Sequence, residues 1–352
     1  MREKNTKLSL SCAAFLFICM LACVMGVASA KTIYVPDDYA KIQWAVDNAS
    51  AGDTIIVRPG TYYENVDVDK SVEIRSYSQN PSDTIIRASN PNDHVFYVTA
   101  DNVTIKGFTV TEATGYYYPK SGIYYKAGIY LYNSNNCRIE NVIASKNSDG
   151  IDLNFSSNNI IANNTVSNND GGIDLYYSHN NTIANNNVSS NRGYGISLDE
   201  GSDNNILASN KISNNLEGII VLCDSNIIVN NIVSSNYGMG IYLWASSNNT
   251  IANNNVNSNN GLGMWGIGIH LGHYSSNNII AKNTVSNNLM YGIFLDESSN
   301  NNIIYLNNFI NNGDNVNSYA STNIWNSTEK ITYIYNGSQH TNYLGNYWSD
   351  YK

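Results

Sequence analysis

From Gly128 onward the chain repeats one short apolar phrase, Gly-Ile-x-Leu, with Val replacing Leu once. Its glycines fall at Gly128, Gly150, Gly172, Gly195, Gly218 and Gly240, then more widely at Gly268 and Gly292. Inside each phrase the apolar pair alternates with period two, as in Ile129/Leu131, Ile151/Leu153, Ile173/Leu175 and Ile196/Leu198, which is the signature of a strand with one buried face. Two more apolar positions recur between phrases. One holds Ile139, Ile161, Ile183, Leu207, Ile251, Ile280 and Ile304; the other holds Val166, Val188, Ile212, Val233, Val256, Val285 and Phe309. A unit of 22 to 23 residues with three strand-like pieces predicts a solenoid whose coils stack like on like, here an all-β, three-sided parallel tube.

The pattern changes at both ends. Tyr39, Ile42, Val46 and Ala49 have helical spacing and precede Gly52, so a short amphipathic helix is expected to close the N-terminal end of the tube within residues 31–53. An open solenoid end would expose both core and strand edge. Strand pieces follow at Thr54–Val57, Val72–Arg75, Thr84–Arg87, Val95–Val98 and Val103–Val110. The repeat runs to Asn312, and residues 313–352, rich in Tyr and Trp, are expected to cap the other end. Residues 54–312 make about 11 coils, a rod on the order of 50 Å long at one strand spacing per coil.

Composition then sharpens the picture. Of 352 residues, 61 are Asn, while only 13% are charged. Many Asn align with the repeat. One stack runs through Asn164, Asn186, Asn210, Asn231, Asn254, Asn283 and Asn307, slipping at Asn141 in the Gly128 coil; another runs from Asn147 through Asn169, Asn191, Asn215, Asn236, Asn259 and Asn288 to Asn312. Asn accepts left-handed backbone and its amide can bond across coils, so both stacks are read as corner devices. The net charge of −9 and the lack of a cationic cluster outside the N-terminus exclude nucleic acid as a partner.

Residues 1–30 have the layout of a secretory signal peptide: Arg2, Lys4 and Lys7, an apolar run from Leu8 to Val27, and the small residues Ala28-Ser29-Ala30. A retained anchor is the alternative, since about 20 apolar residues can span a bilayer. Cleavage would leave 16 Lys and Arg against 27 Asp and Glu, a charge of −11, and only Cys137 and Cys223. About four coils separate these two, too far for a disulfide, so two unpaired thiols are expected. Nine Asn-x-Ser/Thr sequons, including Asn48, Asn102, Asn154, Asn163 and Asn336, fit an exported glycoprotein.

Four segments carry a resemblance: IQWAVDNASAGDTIIVRPGTYYENV (Ile42 to Val66), TADNVTIKGFTVT (Thr99 to Thr111), the GIxL…N repeats, and the closing GNYWSDY (Gly345 to Tyr351). Together they resemble the NosD-like family of periplasmic and cell-surface proteins, over nearly all of residues 32–351. The resemblance implies a right-handed parallel β-helix of the pectin-lyase type, a fold shared by carbohydrate-binding proteins and sugar hydrolases. It says little about activity, because this fold hosts lyases, hydrolases, epimerases, adhesins and copper-site maturation proteins.

The variable x position is expected to face solvent, in a row reading Tyr130, Asp152, Asp174, Ser197, Ile220, Tyr242, His270 and Phe294. Tyr132, Asn154, Tyr176, Asp199, Trp244 and Asp296 lie just beyond. Asp152 and Asp174, about 5 Å apart on adjacent coils, have the spacing of a carboxylate pair for glycoside hydrolysis. Tyr130, Tyr132, Tyr176, Asp199, Tyr242, Trp244 and His270 are the candidate sugar contacts, the plain alternative being a solvated polar face. No Arg or Lys occupies the row, and the related lyases use a cationic side chain beside calcium. Two insertions, Thr111–Ala127 and Gly261–Ile267, enter at one corner and bring Tyr116, Tyr117, Tyr118, Tyr124, Tyr125, Met264 and Trp265. Copper on His270, His273, Met239, Met264 or Met290, and calcium on Asp199, Glu200 or Asp296, have no tight motif behind them, so no metal or cofactor is predicted. The expectation is an exported β-helix that binds or organises surface polysaccharide without turnover. A polysaccharide hydrolase, lyase or epimerase using Asp152 and Asp174 is the alternative, and metal-site maturation the third reading.

Overall fold

The computed structural model describes residues 30–117, 124–261 and 266–351. Thr32–Lys352 forms one compact unit. The expected signal peptide, all but Ala30, lies outside the described residues. Among the described residues no helix is long and apolar enough to cross a membrane.

Three parallel sheets of 12, 11 and 12 strands wrap a single apolar interior. The GIxL strands build the 11-stranded sheet, from Val66–Val68 to Asp314–Ser318. Their register follows the repeat: Ile129 pairs with Ile151, Ile151 with Ile173, and Ile173 with Ile196. The other recurring apolar positions stack in the same manner, Ile139 on Ile161 and Val166 on Val188. All of these side chains are fully buried, so every coil buries its core face against identical neighbours. Glycine opens each phrase because coils close tightly there: a Cβ on Gly172 would run into the Gly195 carbonyl oxygen.

The tube has about 12 coils, one more than the spacing predicts. The first rung, Thr32–Val35, pairs with Thr54–Val57 and precedes the helix α1 (Ile42–Asn48). α1 buries Ile42, Ala45 and Val46 against the end of the core, and the Glu64 carboxylate accepts its first N–H groups, those of Ile42 and Gln43, at 3.0 Å each. At the far end Asp314–Ser318 adds to the GIxL sheet, Tyr347–Trp348 pairs with Asn308–Ile310, and the Trp348 ring stacks on Phe309 at 4.6 Å.

Asn ladders stitch three corners, not two. A ladder Asn uses its Oδ1 to accept the backbone N–H of the residue one coil back, and nearly all donate Nδ2 to a backbone carbonyl. Asn186, for example, accepts from Asn164 N at 2.9 Å and donates to Ile161 O at 2.9 Å. The third ladder runs Asn159, Asn181, Asn205, Asn226, Asn249, Asn278, Asn302 and Asn323. In the Gly128 coil the first ladder starts on Val142, whose N–H donates to Asn164, and not on Asn141. Nor do the ladder Asn take the left-handed backbone. That falls to the residue before each, such as Asn158, Asn163 and Asn168, with φ of 58 to 61°.

Cys137 and Cys223 are free and buried, as expected. Cys137 takes the third-ladder position in its coil, with its N–H donating to Asn159 Oδ1 at 2.7 Å. Burial pushes the thiols up to about 11 and about 12. Protein lacking residues 1–30 is therefore expected to leave both thiols unreacted with a thiol-specific disulfide reagent at pH 8, and both to react after unfolding. Fast labelling of the folded protein would contradict this environment.

Candidate functional site

Alternation along the GIxL strands turns x and the residue two further on outward, onto one face of one sheet. Tyr97, Tyr130, Asp152, Asp174, Ser197, Ile220, Tyr242, His270 and Phe294 form one in-register row. Tyr132, Asn154 and Tyr176 form the row beside it. Asp152, Asp174 and Tyr176 thus share a face, with Trp244 three coils along, about 14 Å away. The face is not the open row that alternation predicts. Asp152 is only 7% exposed, Ser197 and His270 are also buried, and Tyr130, Asp174 and Tyr242 are half-buried. Neighbouring groups of the same strand and of adjoining coils lean over this row. Asn154 Nδ2 donates to Asp152 Oδ1 at 3.0 Å, and His94 stacks on Tyr130 at 4.2 Å.

Four carboxylates meet at the centre of this face. Burial, reinforced by the neighbouring Asp charges, holds Asp152 and Asp174 well above the usual carboxylate range. Burial raises Asp149 to about 7 even though the Tyr194 hydroxyl donates to its Oδ1 at 3.2 Å. Asp199 is raised by burial as well and accepts from Ser197 Oγ at 3.0 Å. Asp174 Oδ1 is buried without a hydrogen-bond partner. Asp149 is the member that sequence reasoning missed, because it precedes the phrase glycine. The Asp152–Asp174 adjacency was readable from the repeat; their desolvation was not.

Aromatic rings bracket the carboxylates. On the upstream side Tyr97, Tyr130 and Tyr132 stack in sequence, and Phe155 meets Tyr132, Tyr176 and Tyr177 at 5.5 to 6.0 Å. Downstream, Tyr242 packs against Trp244 and His270, and Trp244 against His273. Phe155, Tyr177 and Tyr274 were not anticipated, yet each has a sequence signal. They sit one residue before a buried Ser of a corner stack, at a position that other coils give to Asn133, Gly201, Ala245 and Ser298. All three hold left-handed backbone, with φ of 51, 46 and 62°. Bulky residues there cost of order 1 to 3 kcal/mol each and persist where something else holds them. Phe155 is 45% exposed, Tyr274 69% and Trp244 42%.

Copper was tested on the donors present. His270 Nδ1 lies 3.2 Å from Met239 Sδ, burial lowers His270 to about 4, and its Nε2 is unpartnered. His273 instead faces the Asp296 and Glu297 carboxylates at 3.7 and 3.5 Å. Among the described residues, one imidazole and one thioether fall short of a copper site. Met264 lies outside the described residues, as do Trp265 and residues 118–123 of the other insertion; Tyr116–Tyr117 and Tyr124–Tyr125 pair as short antiparallel strands. Among the described residues no group of three His, Cys, Asp or Glu is placed to hold a metal, calcium included.

Comparison with known proteins agrees with this architecture. Residues 89–256 match the family model described as right handed beta helix region, and residues 200–352 match periplasmic copper-binding protein (NosD). A cell surface glycoprotein of Methanothermus fervidus is 31% identical over 128 residues, 36% of this chain and 19% of the relative, so the match spans about a fifth of that protein's length. Among solved structures, the Dettilon tailspike protein (gp208) aligns with a TM-score of 0.64 at 14% identity, over 89% of this chain and 76% of its own. The A-module of the Azotobacter vinelandii mannuronan C-5 epimerase AlgE6 aligns with a TM-score of 0.58 at 17% identity, over 80% and 94%. At these identities the structural likeness speaks for the fold alone. Matched from residue 89 to residue 352 by two overlapping family models, and built over its described repeats as a parallel β-solenoid, the chain belongs to the NosD-like right-handed β-helix proteins.

Proposed function

We propose that this protein works outside the cytoplasm as a glycan-binding β-helix, using the outer face of the GIxL sheet as its sugar platform. The periplasmic family model and the cell-surface relative support the location. What carries the binding role is the aromatic rim: Phe155, Tyr177 and Tyr274 keep exposed or half-exposed rings on a left-handed backbone that Asn or Gly would occupy without strain. Flat aromatic faces bracketing carboxylates suit sugar rings, whose apolar faces stack and whose hydroxyls bond acids. The burial of Asp152 favours binding over turnover, since a nucleophile must reach its substrate.

The test pairs binding with stability. Phe155→Asn and Tyr177→Asn restore the residue type that Asn133 shows is tolerated there. Each is expected to weaken binding to a retained polysaccharide by about 5- to 10-fold, equivalent to about 1 to 1.4 kcal/mol, while the melting temperature holds or rises. Wild-type protein that retains nothing from a panel of neutral and acidic polysaccharides, or variants that bind as well as wild type, would overturn the reading. One observation favours a second, catalytic reading. Asp174 is half-buried, its Oδ1 alone is buried without a partner, and burial holds its carboxyl well above the usual range, which suits general acid work. New reducing ends, unsaturated products or epimerised units that vanish in Asp174→Asn would establish it.

A further inference from the structure

A second recess opens at the upstream edge of the same sheet, on the corner leading into the GIxL strands. It has a volume of about 530 Å³ and is lined by Thr114 and, from three successive coils, by Lys146 and Asn147, Asn168 to Asp170, and Ser190 and Arg192. Amides, hydroxyls and two cations make up most of that lining, in a protein whose net charge is −9. Neither cation is required by the corner. Lys146 holds the left-handed position that the following coils give to Asn168, Ser190 and Asn214, and it makes no ion pair among the described residues. Arg192 lies two positions further along, where other coils place Ser148 or Asn260. Its side chain is 86% exposed and it engages one acid, Asp170, at 3.1 Å.

We propose that this recess binds the carboxylate of an acidic sugar unit, making the glycan recognised by the protein a uronate-type polyanion. The inference rests on the glycan reading for its sugar and on the recess for its charge. Asp170 is the one acid in the lining, and it occupies only part of the five-donor Arg192 guanidinium. Lys146 supplies a second positive charge from two coils away, so the recess keeps a net positive balance. The Asn and Ser side chains offer the donors and acceptors that sugar hydroxyls need. Location links the recess to the platform. Asp170 directly precedes the strand Gly171–Tyr176, which ends beside the rim residue Tyr177, so one glycan lying along the strand spans recess, carboxylates and aromatic rim in about 20 Å. Burial pushes the carboxyls midway along that path toward their neutral form, which lessens their repulsion of a polyanion.

The experiment measures binding of an oligogalacturonate trimer, its fully methyl-esterified form and a neutral glucan trimer to the full chain. Wild type is expected to bind the acid at least about 10-fold more tightly than the ester, with the advantage fading at high salt. Lys146→Asn and Arg192→Asn install the residue type that other coils already use at these positions, at Asn168 and Asn260. Each is expected to remove most of that advantage, leaving ester binding and melting temperature unchanged. If acid and ester bind alike, or the variants keep the preference, the recess is not an anion site, while the aromatic platform still stands on ester or neutral-trimer binding. If no trimer binds at all, the recess inference falls with the platform reading.

Discussion

Asn186→Ala is expected to lower the stability of the β-helix by about 3 to 5 kcal/mol, with the neighbouring substitution Asn187→Thr within about 0.5 kcal/mol of wild type. The two residues differ only in where the fold puts them. Asn187 is exposed and pairs in register with Thr165. Asn186 is buried and serves both adjacent coils: its Oδ1 accepts from Asn164 N and Nδ2 at 2.9 and 3.0 Å, and its Nδ2 donates to Ile161 O and to Asn210 Oδ1 at 2.9 and 3.0 Å. Truncation to Ala strands the Asn164 N–H and the Ile161 carbonyl in a dry corner, each at a cost of about 1 to 3 kcal/mol, and leaves a small void. Urea denaturation followed by circular dichroism reads the difference. A loss below about 1 kcal/mol would mean that water enters the corner and replaces the amide.

The second large effect is on pH dependence. Asp149→Asn is expected to stabilise the protein by on the order of 4 kcal/mol at pH 8 and to change little near pH 4. In the folded chain burial holds Asp149 to about 7, against an ordinary 3.8. Between those values the native state keeps a proton that the unfolded chain has lost. Stability conferred by that proton is complete below about pH 4, declines as pH rises, and is gone above about 7. Asp152, Asp174 and Asp199 push in the same direction, as does Glu217, raised by burial to about 7. His94 and His270 oppose them: burial lowers these imidazoles to about 3 and about 4, so their contribution is lost as pH falls below about 6.5. The Asn variant isolates one acid from this sum, since its amide still accepts from the Tyr194 hydroxyl. Melting temperatures of wild type and variant across pH 4 to 8 should converge at the acidic end. Parallel curves would show that Asp149 is ionised in the native state.

Much of this fold is legible in the chain because each coil repeats the same demand. The Ile and Leu of each phrase must meet their counterparts, so reading the spacing is equivalent to reading the register, as Ile151 on Ile173 shows. The third Asn ladder is harder to see. It starts only after Cys137, which takes its place in the Gly128 coil, and its members share Asn-Asn pairs with the left-handed residues Asn158, Asn180 and Asn204, so one letter serves two purposes. The first coil also escapes the period because α1 interrupts it between Thr32–Val35 and Thr54–Val57. For the site, alternation correctly put Asp152, Asp174 and Tyr176 on one face but not their burial, which depends on rings from other coils. The rim residues Phe155 and Tyr177 follow the strand, where period two no longer applies. Their mark in the sequence is the corner Ser that follows each, and their left-handed φ sets them apart in the structure.

The ladders have one consequence for how such a molecule can change. Each ladder Asn reaches no further than the coil before and the coil after, as Asn210 does with Asn186 and Asn231, and nothing in that contact records its distance from either end. A duplicated or deleted unit of 22 to 24 residues would therefore splice into the rod with every seam closed and both end plugs untouched. Length is the cheapest trait for this lineage to alter, and a longer rod would carry more platform without any new fold.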